Sequence, residues 1–246
     1  MLDTFFYGLL ASSSLVIGGL IGIWFPIGKR TLGVVMAFGA GVLISAVSYE
    51  LILDAVRLAY KTGATGIGIF AGALTFYFAD MWISKIGASD RKAISGSLQS
   101  RLVIPIVLAI VLDGIPETAV IGLSMLKDGS VSIAILLAVF ISNLPEAVAS
   151  TTGMKSGGWG TKKILLLWLV IGLICATAAP IGYVLVGNAS PFWVALIEAF
   201  AAGAILVMLA NTMMPEAYEH GGKLAGIFTV LGFVASALVV LIERAQ

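Results

Sequence analysis

Eight stretches of the chain, 4–26, 32–56, 64–86, 102–126, 131–153, 163–187, 192–214 and 223–242, run apolar between polar or glycine-rich breaks. Each is close to the ~20 residues an α-helix needs to cross the hydrocarbon of a bilayer. With no water there to satisfy N–H and C=O groups, a segment of this kind must close its own hydrogen bonds as a helix. The expected fold is therefore an all-α membrane protein with eight transmembrane helices, 1–246 forming a single transmembrane domain. Residues 87–101 make a short polar loop between the third and fourth spans, too short for a domain. Only 11% of residues are charged, against ~25% in a soluble domain. That excludes a soluble enzyme, a nucleic-acid-binding module and a disordered chain. A net charge of +1 argues separately against a nucleic-acid partner, which requires clustered Lys and Arg. The single cysteine, Cys175, excludes a disulfide framework and a cysteine zinc site. The first run does not read as a signal peptide, because it opens on Asp3, is too long, and leads to no small-residue cleavage site.

Orientation follows from the basic residues, which favour cytoplasmic loops. Placing the N-terminus outside puts Lys29, Arg30, Lys85, Arg91, Lys92, Arg101, Lys155, Lys162, Lys163 and Lys223 inside, and leaves Arg57, Lys61, Lys127 and Arg244 outside. This asymmetry predicts both termini outside and the 87–101 loop in the cytoplasm. Trp24, Trp82, Trp159, Trp168 and Trp193 fall mostly near span ends, where interfacial anchoring is expected.

Two internal similarities stand out. Ala37-Phe38-Gly39-Ala40-Gly41 in span two matches Ala199-Phe200-Ala201-Ala202-Gly203 in span seven, and the same offset aligns Asp54-Ala55 with Glu216-Ala217. Four spans, an even number, lie between them, so the similar helices run in opposite directions. That pattern predicts inverted repeats, spans 1–3 and 6–8, which place a substrate near the midplane in many transporters. Between them, Asp113-Gly114-Ile115-Pro116-Glu117-Thr118 in span four stands against Ser142-Asn143-Leu144-Pro145-Glu146-Ala147 in span five. The short turn from Lys127 to Ser130 predicts that these spans form a central antiparallel hairpin. Each proline withholds a helix hydrogen bond and leaves a carbonyl, near Leu112 or Ile141, without its usual donor. A glutamate follows each proline directly.

The charges inside the spans carry one sign. Of 13 acidic residues, Glu50, Asp113, Glu117 and Glu146 fall well inside spans, while Asp80, Glu198 and Glu216 lie nearer the ends. No Lys or Arg sits equally deep. A carboxylate at a helix centre costs ~2.5–3.5 kcal/mol on insertion scales, so these groups are expected to be protonated or completed by a cation. Asp113 and Glu117 share one helix face by their spacing of four, as Ser142 and Asn143 share a face with Glu146. A hairpin bringing those faces together gathers oxygen ligands, the chemistry that hard divalent cations and Zn²⁺ accept. Because metal displaces protons from carboxylates, affinity is expected to fall in acid.

The paired Pro-Glu hexapeptides resemble those of the ZIP (Zrt-/Irt-like protein) metal transporters, whose fourth span carries His-Asn-x-Pro-Glu-Gly and whose fifth carries a related run. The eight spans, the external termini and the Ala-Phe-x-Ala-Gly openings of spans two and seven are similar to that family too. The resemblance implies a homodimeric permease of the inner cell membrane that brings Zn²⁺, Fe²⁺ or related ions into the cytoplasm. It also implies that spans 1, 4, 5 and 6 shift against the rest by alternating access. Divalent ions would be the substrate, with no resident cofactor and no enzyme activity. Glu117 and Glu146 match the motif glutamates, and Asn143 matches a ligand position. Asp113 stands at the family's His position, Gly114 at its Asn, and Ser142 at its His or Gln; Thr118 and Ala147 replace glycines. Asn211 lies where relatives carry an acidic residue in span seven, and Glu50 adds a carboxylate to span two. The implied metal set is Asp113, Glu117, Ser142, Asn143, Glu146, Glu50 and Asn211.

The lost imidazole makes the expected site a single one built mainly of oxygen, which brings Mn²⁺, Fe²⁺ and Mg²⁺ beside Zn²⁺. Two other readings of the buried acids compete. One is a proton-coupled carrier of another cation. The other is an intramembrane hydrolase using Glu117 and Glu146, although the Gly-x-Gly-Asp sequence of intramembrane aspartyl proteases is absent. His220, the only histidine, reads as a solvated helix end, and Met208, Met213 and Met214 as packing residues.

Overall fold

The computed structural model describes residues 1–85, 103–128 and 130–245. The 87–101 loop, with Arg91, Lys92 and Arg101, lies outside the described residues. Every regular element among the described residues is helical: α1 (Leu2–Trp24), α2 (Lys29–Ala46), α3 (Leu53–Leu58), α4 (Ala64–Ile83), α5 (Val103–Asp128), α6 (Ile133–Ser156), α7 (Thr161–Val186), α8 (Pro191–Met208), α9 (Met214–Gly221) and α10 (Leu224–Arg244). A π-helical segment, Val47–Ile52, joins α2 to α3, and a second, Leu209–Met213, joins α8 to α9. The two joined helices thus run as single spans, and the described residues hold eight helices long and apolar enough to cross a membrane.

The apolar runs locate these helices because lipid removes every alternative for the backbone. The π segments are a different matter. Neither contains proline or glycine, so nothing in their composition announces a widened turn. They begin at the same offset that aligns the Ala-Phe motifs of spans two and seven, and each sits where its span passes from a buried middle to a polar end.

Packing sorts the helices into two groups. In the first, α1 lies along both α6 and α7, and α5 lies along α7. In the second, α2 pairs with α10 and α9, and α4 pairs with α8. Within each group the backbones meet across glycines. A Cβ on Gly41 would fall 1.9 Å from the Thr229 carbonyl oxygen, and one on Gly232 2.0 Å from that of Phe38, so α2 and α10 touch reciprocally. Gly72 and Gly203 do the same between α4 and α8, and Gly122 and Gly182 between α5 and α7. Such approach permits Cα–H···O contacts and close dispersion packing, which hold helices together where lipid cancels the hydrophobic gain.

Across the groups the fit is looser. The principal contact is α2 against α6, where a Cβ on Gly39 would lie 3.3 Å from the Ile141 oxygen and from the Ser142 Cα. Helices α5 and α6 are consecutive, but each packs mainly on another partner. Prolines 116, 145 and 180 are accommodated inside continuous helices. The Ile141 carbonyl, four residues before Pro145, is the one facing Gly39.

Trp168 departs from the interfacial expectation. It is fully buried, packs on Gly19 of α1, and donates from Nε1 to Thr151 Oγ1 at 2.8 Å. Trp159 is buried as well, under the Lys163 ammonium, whereas Trp24, Trp82 and Trp193 are exposed as anchors should be.

The glycine contacts are testable. Gly203→Val places a side chain where the Ile69 backbone stands and should cost at least the ~1–3 kcal/mol typical of overpacking, abolishing a monodisperse peak in detergent. Gly66→Ala, at a helical glycine with nothing within 4 Å, should leave the melting temperature unchanged or raised.

Candidate ion site and vestibule

Helix α5 carries Asp113 and Glu117 one turn apart, and α6 carries Ser142, Asn143 and Glu146. All five are at most 5% exposed. The faces meet where Ser142 Oγ donates to Glu117 Oε2 at 3.5 Å; the same hydroxyl is near its own helix's Val139 carbonyl at 3.1 Å. Thr118, which follows Glu117, donates back to the Gly114 carbonyl, so it serves the helix rather than the cluster. Gly39 of α2 closes one side against Ser142, and the Met213 methyl reaches to Gly39. Three elements thus bring oxygen ligands and small residues to the seam between the helix groups. Among the described residues no three His, Cys, Asp or Glu side chains form a ready-made metal cage. A cation held here would draw on Ser142 and Asn143 as well as on carboxylates.

A further residue belongs to this neighbourhood. Cys175 of α7 is buried with its sulfur against Gly114, where a Cβ would stand 2.6 Å from Sγ. Its place could be read only from the packing of α7 on α5, since its position in span six carries no motif. Gly114, standing where the resemblance would put Asn, makes room for that thiol.

From Glu117 the seam continues towards the end of the bundle where α5 finishes and α6 begins. An apolar space of about 10 Å³, at the limit for one water, lies beside Glu117 between Leu43, Val47, Val120, Ile135 and Val139. Beyond it opens a polar cavity of about 890 Å³ lined by Glu50, Asp54, Arg57, Ser124, Ser132 and Arg244, among others. Glu117, Val120 and Ser124 follow one face of α5, covering ~10 Å of helix. Vestibule, apolar constriction and carboxylates therefore stack along one line.

The remaining site candidates fall elsewhere. Glu50 belongs to the vestibule rather than the buried cluster, and Arg244 lies 3.4 Å from its Oε1 and 3.2 Å from Asp54 Oδ1. The expectation that no basic residue reaches the span acids thus fails for Glu50, because α10 ends beside the first π segment. Asn211, in the second π segment, is exposed. Glu198 is fully buried in the middle of α8 instead of reaching an interface. An acidic residue in an apolar run does not reveal which face it occupies, so the burial of Glu198 shows only in the fold. His220 is not a solvated end: its side chain is 7% exposed, packs beside Gly33 of α2, and lies 3.7 Å from Glu216. Met208 and Met213 are buried packing residues, while Met214 is exposed.

No protein-family model matches the chain, and no curated protein matches it in sequence.

The fit of Cys175 against Gly114 yields a paired expectation. Gly114→Ala should destabilise the protein by ~1–3 kcal/mol through overpacking, and adding Cys175→Ala should recover most of that loss. Thermal unfolding of both single variants and the double variant measures the coupling; strict additivity would show that the two positions do not share space.

Proposed function

We propose that the protein is a divalent-cation permease of the ZIP type, carrying its ion past Asp113, Glu117, Ser142, Asn143 and Glu146 by movement of one helix group against the other. The observation that carries this reading is the position of the buried carboxylates. Among them Glu117 lies at the seam between two separately packed groups, in line with a polar vestibule and separated from it by an apolar constriction. The first group, α1, α5, α6 and α7, comprises the four spans expected to shift. Glycine contacts make each group internally close-fitting, which suits rigid-body motion, while the looser α2–α6 contact suits sliding.

The inverted-repeat proposal gains support from the same geometry. The π segments occupy equivalent positions in spans two and seven, and the pairing of α2 with α10 answers that of α8 with α4. On this reading the vestibule opens to the outside, both termini are external, and the protein resides in the cell membrane, as a homodimer if it follows the family it resembles. Ions of the Zn²⁺, Fe²⁺ and Mn²⁺ class are the proposed cargo, with Mg²⁺ admitted by the oxygen-rich ligands. An organic-cation carrier or a hydrolase acting on a peptide would need room beside Glu117 that an apolar space of about 10 Å³ does not offer.

Uptake into proteoliposomes across Mg²⁺, Mn²⁺, Fe²⁺, Co²⁺, Zn²⁺ and Cd²⁺ tests the proposal. Glu117→Gln and Glu146→Gln should each lower uptake at least ~10-fold, the scale of losing one charge-assisted ligand, while the protein stays monodisperse. Full uptake in both variants would remove the carboxylates from the path. Asp113→His should raise Zn²⁺ over Mn²⁺ in competition, since imidazole favours zinc.

A further inference from the structure

The vestibule is crossed by two consecutive side chains from the end of α10. Glu243 reaches the start of α6, where its Oε1 accepts from the Ile133 N–H at 2.6 Å and its Oε2 from the Ala134 N–H at 3.1 Å. The Ser132 hydroxyl adds a longer contact at 3.4 Å. Arg244 reaches the other way. Its Nη2 donates to the Tyr49 carbonyl of the first π segment at 2.5 Å and lies near Asp54 Oδ1 and Glu50 Oε1. The two arms differ in what they join. Arg244 ties α10 to α2–α3, which belong to the same helix group. Glu243 ties α10 to α6, which belongs to the other group and otherwise meets α10 sparsely.

We propose that Glu243 and Arg244 form a clasp holding the vestibule end of the seam closed, with Glu243 as the releasable arm and Arg244 as its anchor. The chemistry fits those roles. The first N–H groups of α6 have no partner within their helix and face a carboxylate, an interaction strengthened by the positive end of the helix dipole. Ser132 already caps Ile135, so Glu243 takes the donors that the N-cap leaves. The Arg244 guanidinium offers several donors in one plane and donates to both a carbonyl and carboxylates, fixing where its neighbour Glu243 stands. For α6 to move relative to α10 at this end, the Glu243 bonds must break, and the freed N–H groups then face the vestibule, where water can receive them. The constriction at Val47, Val120 and Val139 lies directly beneath, so release of the clasp admits water towards Glu117.

The inference deepens the permease reading and rests on it for its role in transport, but its test needs no metal. Val120→Cys is placed in a Cys175→Ser background, reconstituted in proteoliposomes and exposed to a membrane-impermeant, positively charged thiol reagent. The labelling rate is then compared with Glu243→Gln or Arg244→Gln added. Glu243→Gln should speed labelling about tenfold, the scale of charge-assisted hydrogen bonds. Arg244→Gln should speed it less, because the releasable arm remains. Unchanged labelling in both variants overturns the clasp, even if thermal stability falls, since a purely structural cap would change stability alone. Faster labelling with Arg244→Gln than with Glu243→Gln overturns the assignment of the arms. Should one variant fail to fold, the other still decides, because either must exceed the parent rate. Labelling that responds in a protein found to move no metal would retain the clasp and discard the permease.

Discussion

Backbone contact across glycine decides how this bundle can be divided. Inside a bilayer, helices gain little by hiding apolar side chains from lipid that is equally apolar, so association rests on close packing and polar contacts. Where Gly41 meets Thr229, Gly72 meets Phe200 and Gly122 meets Ala179, side chains are absent and two backbones share a surface. Sliding one helix past another there would drive backbone into backbone. No such contact fuses α2 to α6. Their interface is less close: a Cβ on Gly39 would stand 3.3 Å from the Ile141 oxygen and the Ser142 Cα, beside the flexible end of Met213. The molecule is close-fitting within its groups and more permissive between them.

The polar residues follow from that division. A carboxylate is tolerated at such depth only beside donors, water or cations. A seam lined by Ser142, Asn143 and the carbonyls around two prolines can provide these. The sequence places two Pro-Glu motifs on consecutive spans, and folding buries both glutamates, with Glu117 and Ser142 at this seam. Each helix leans mainly on a partner elsewhere, α5 on α7 and α6 on α1. They meet at Ser142 and Glu117 without being sealed along their length.

The eight runs located the helices closely, because a hydrocarbon solvent admits one solution for a long apolar segment. The buried pair of motifs was equally legible, since a proline followed by a glutamate, twice at similar depth, has few other uses. Partner choice was not legible. Glycine content foretold close packing but not that Gly203 faces Ile69, because the match depends on crossing geometry. The π segments escaped notice for want of proline or glycine. Depth counted along span two groups Glu50 with the buried acids. The fold instead turns it towards Arg244, a residue 194 positions away. Asn211, assigned through resemblance alone, ends exposed.

The two ends of the proposed repeat are latched unequally, and this asymmetry bears on direction. The end of α10 crosses the seam with a carboxylate on the first N–H groups of α6. In the pairing of α10 with α4, Gly232 answers Gly72, and the counterpart of Glu243 is Ile83. That residue crosses the seam too, but through apolar contact with Ala109 and Leu112 of α5. An apolar contact weakens gradually as surfaces slide, because dispersion is non-directional and its atoms find new neighbours. A carboxylate on two N–H groups holds over a few tenths of an ångström and then lets go, since hydrogen bonds depend on distance and angle. A motion that opens one end while closing the other therefore meets a threshold at the vestibule and a smooth resistance opposite. In the permease reading, the sharp latch stands where the outside ion would arrive.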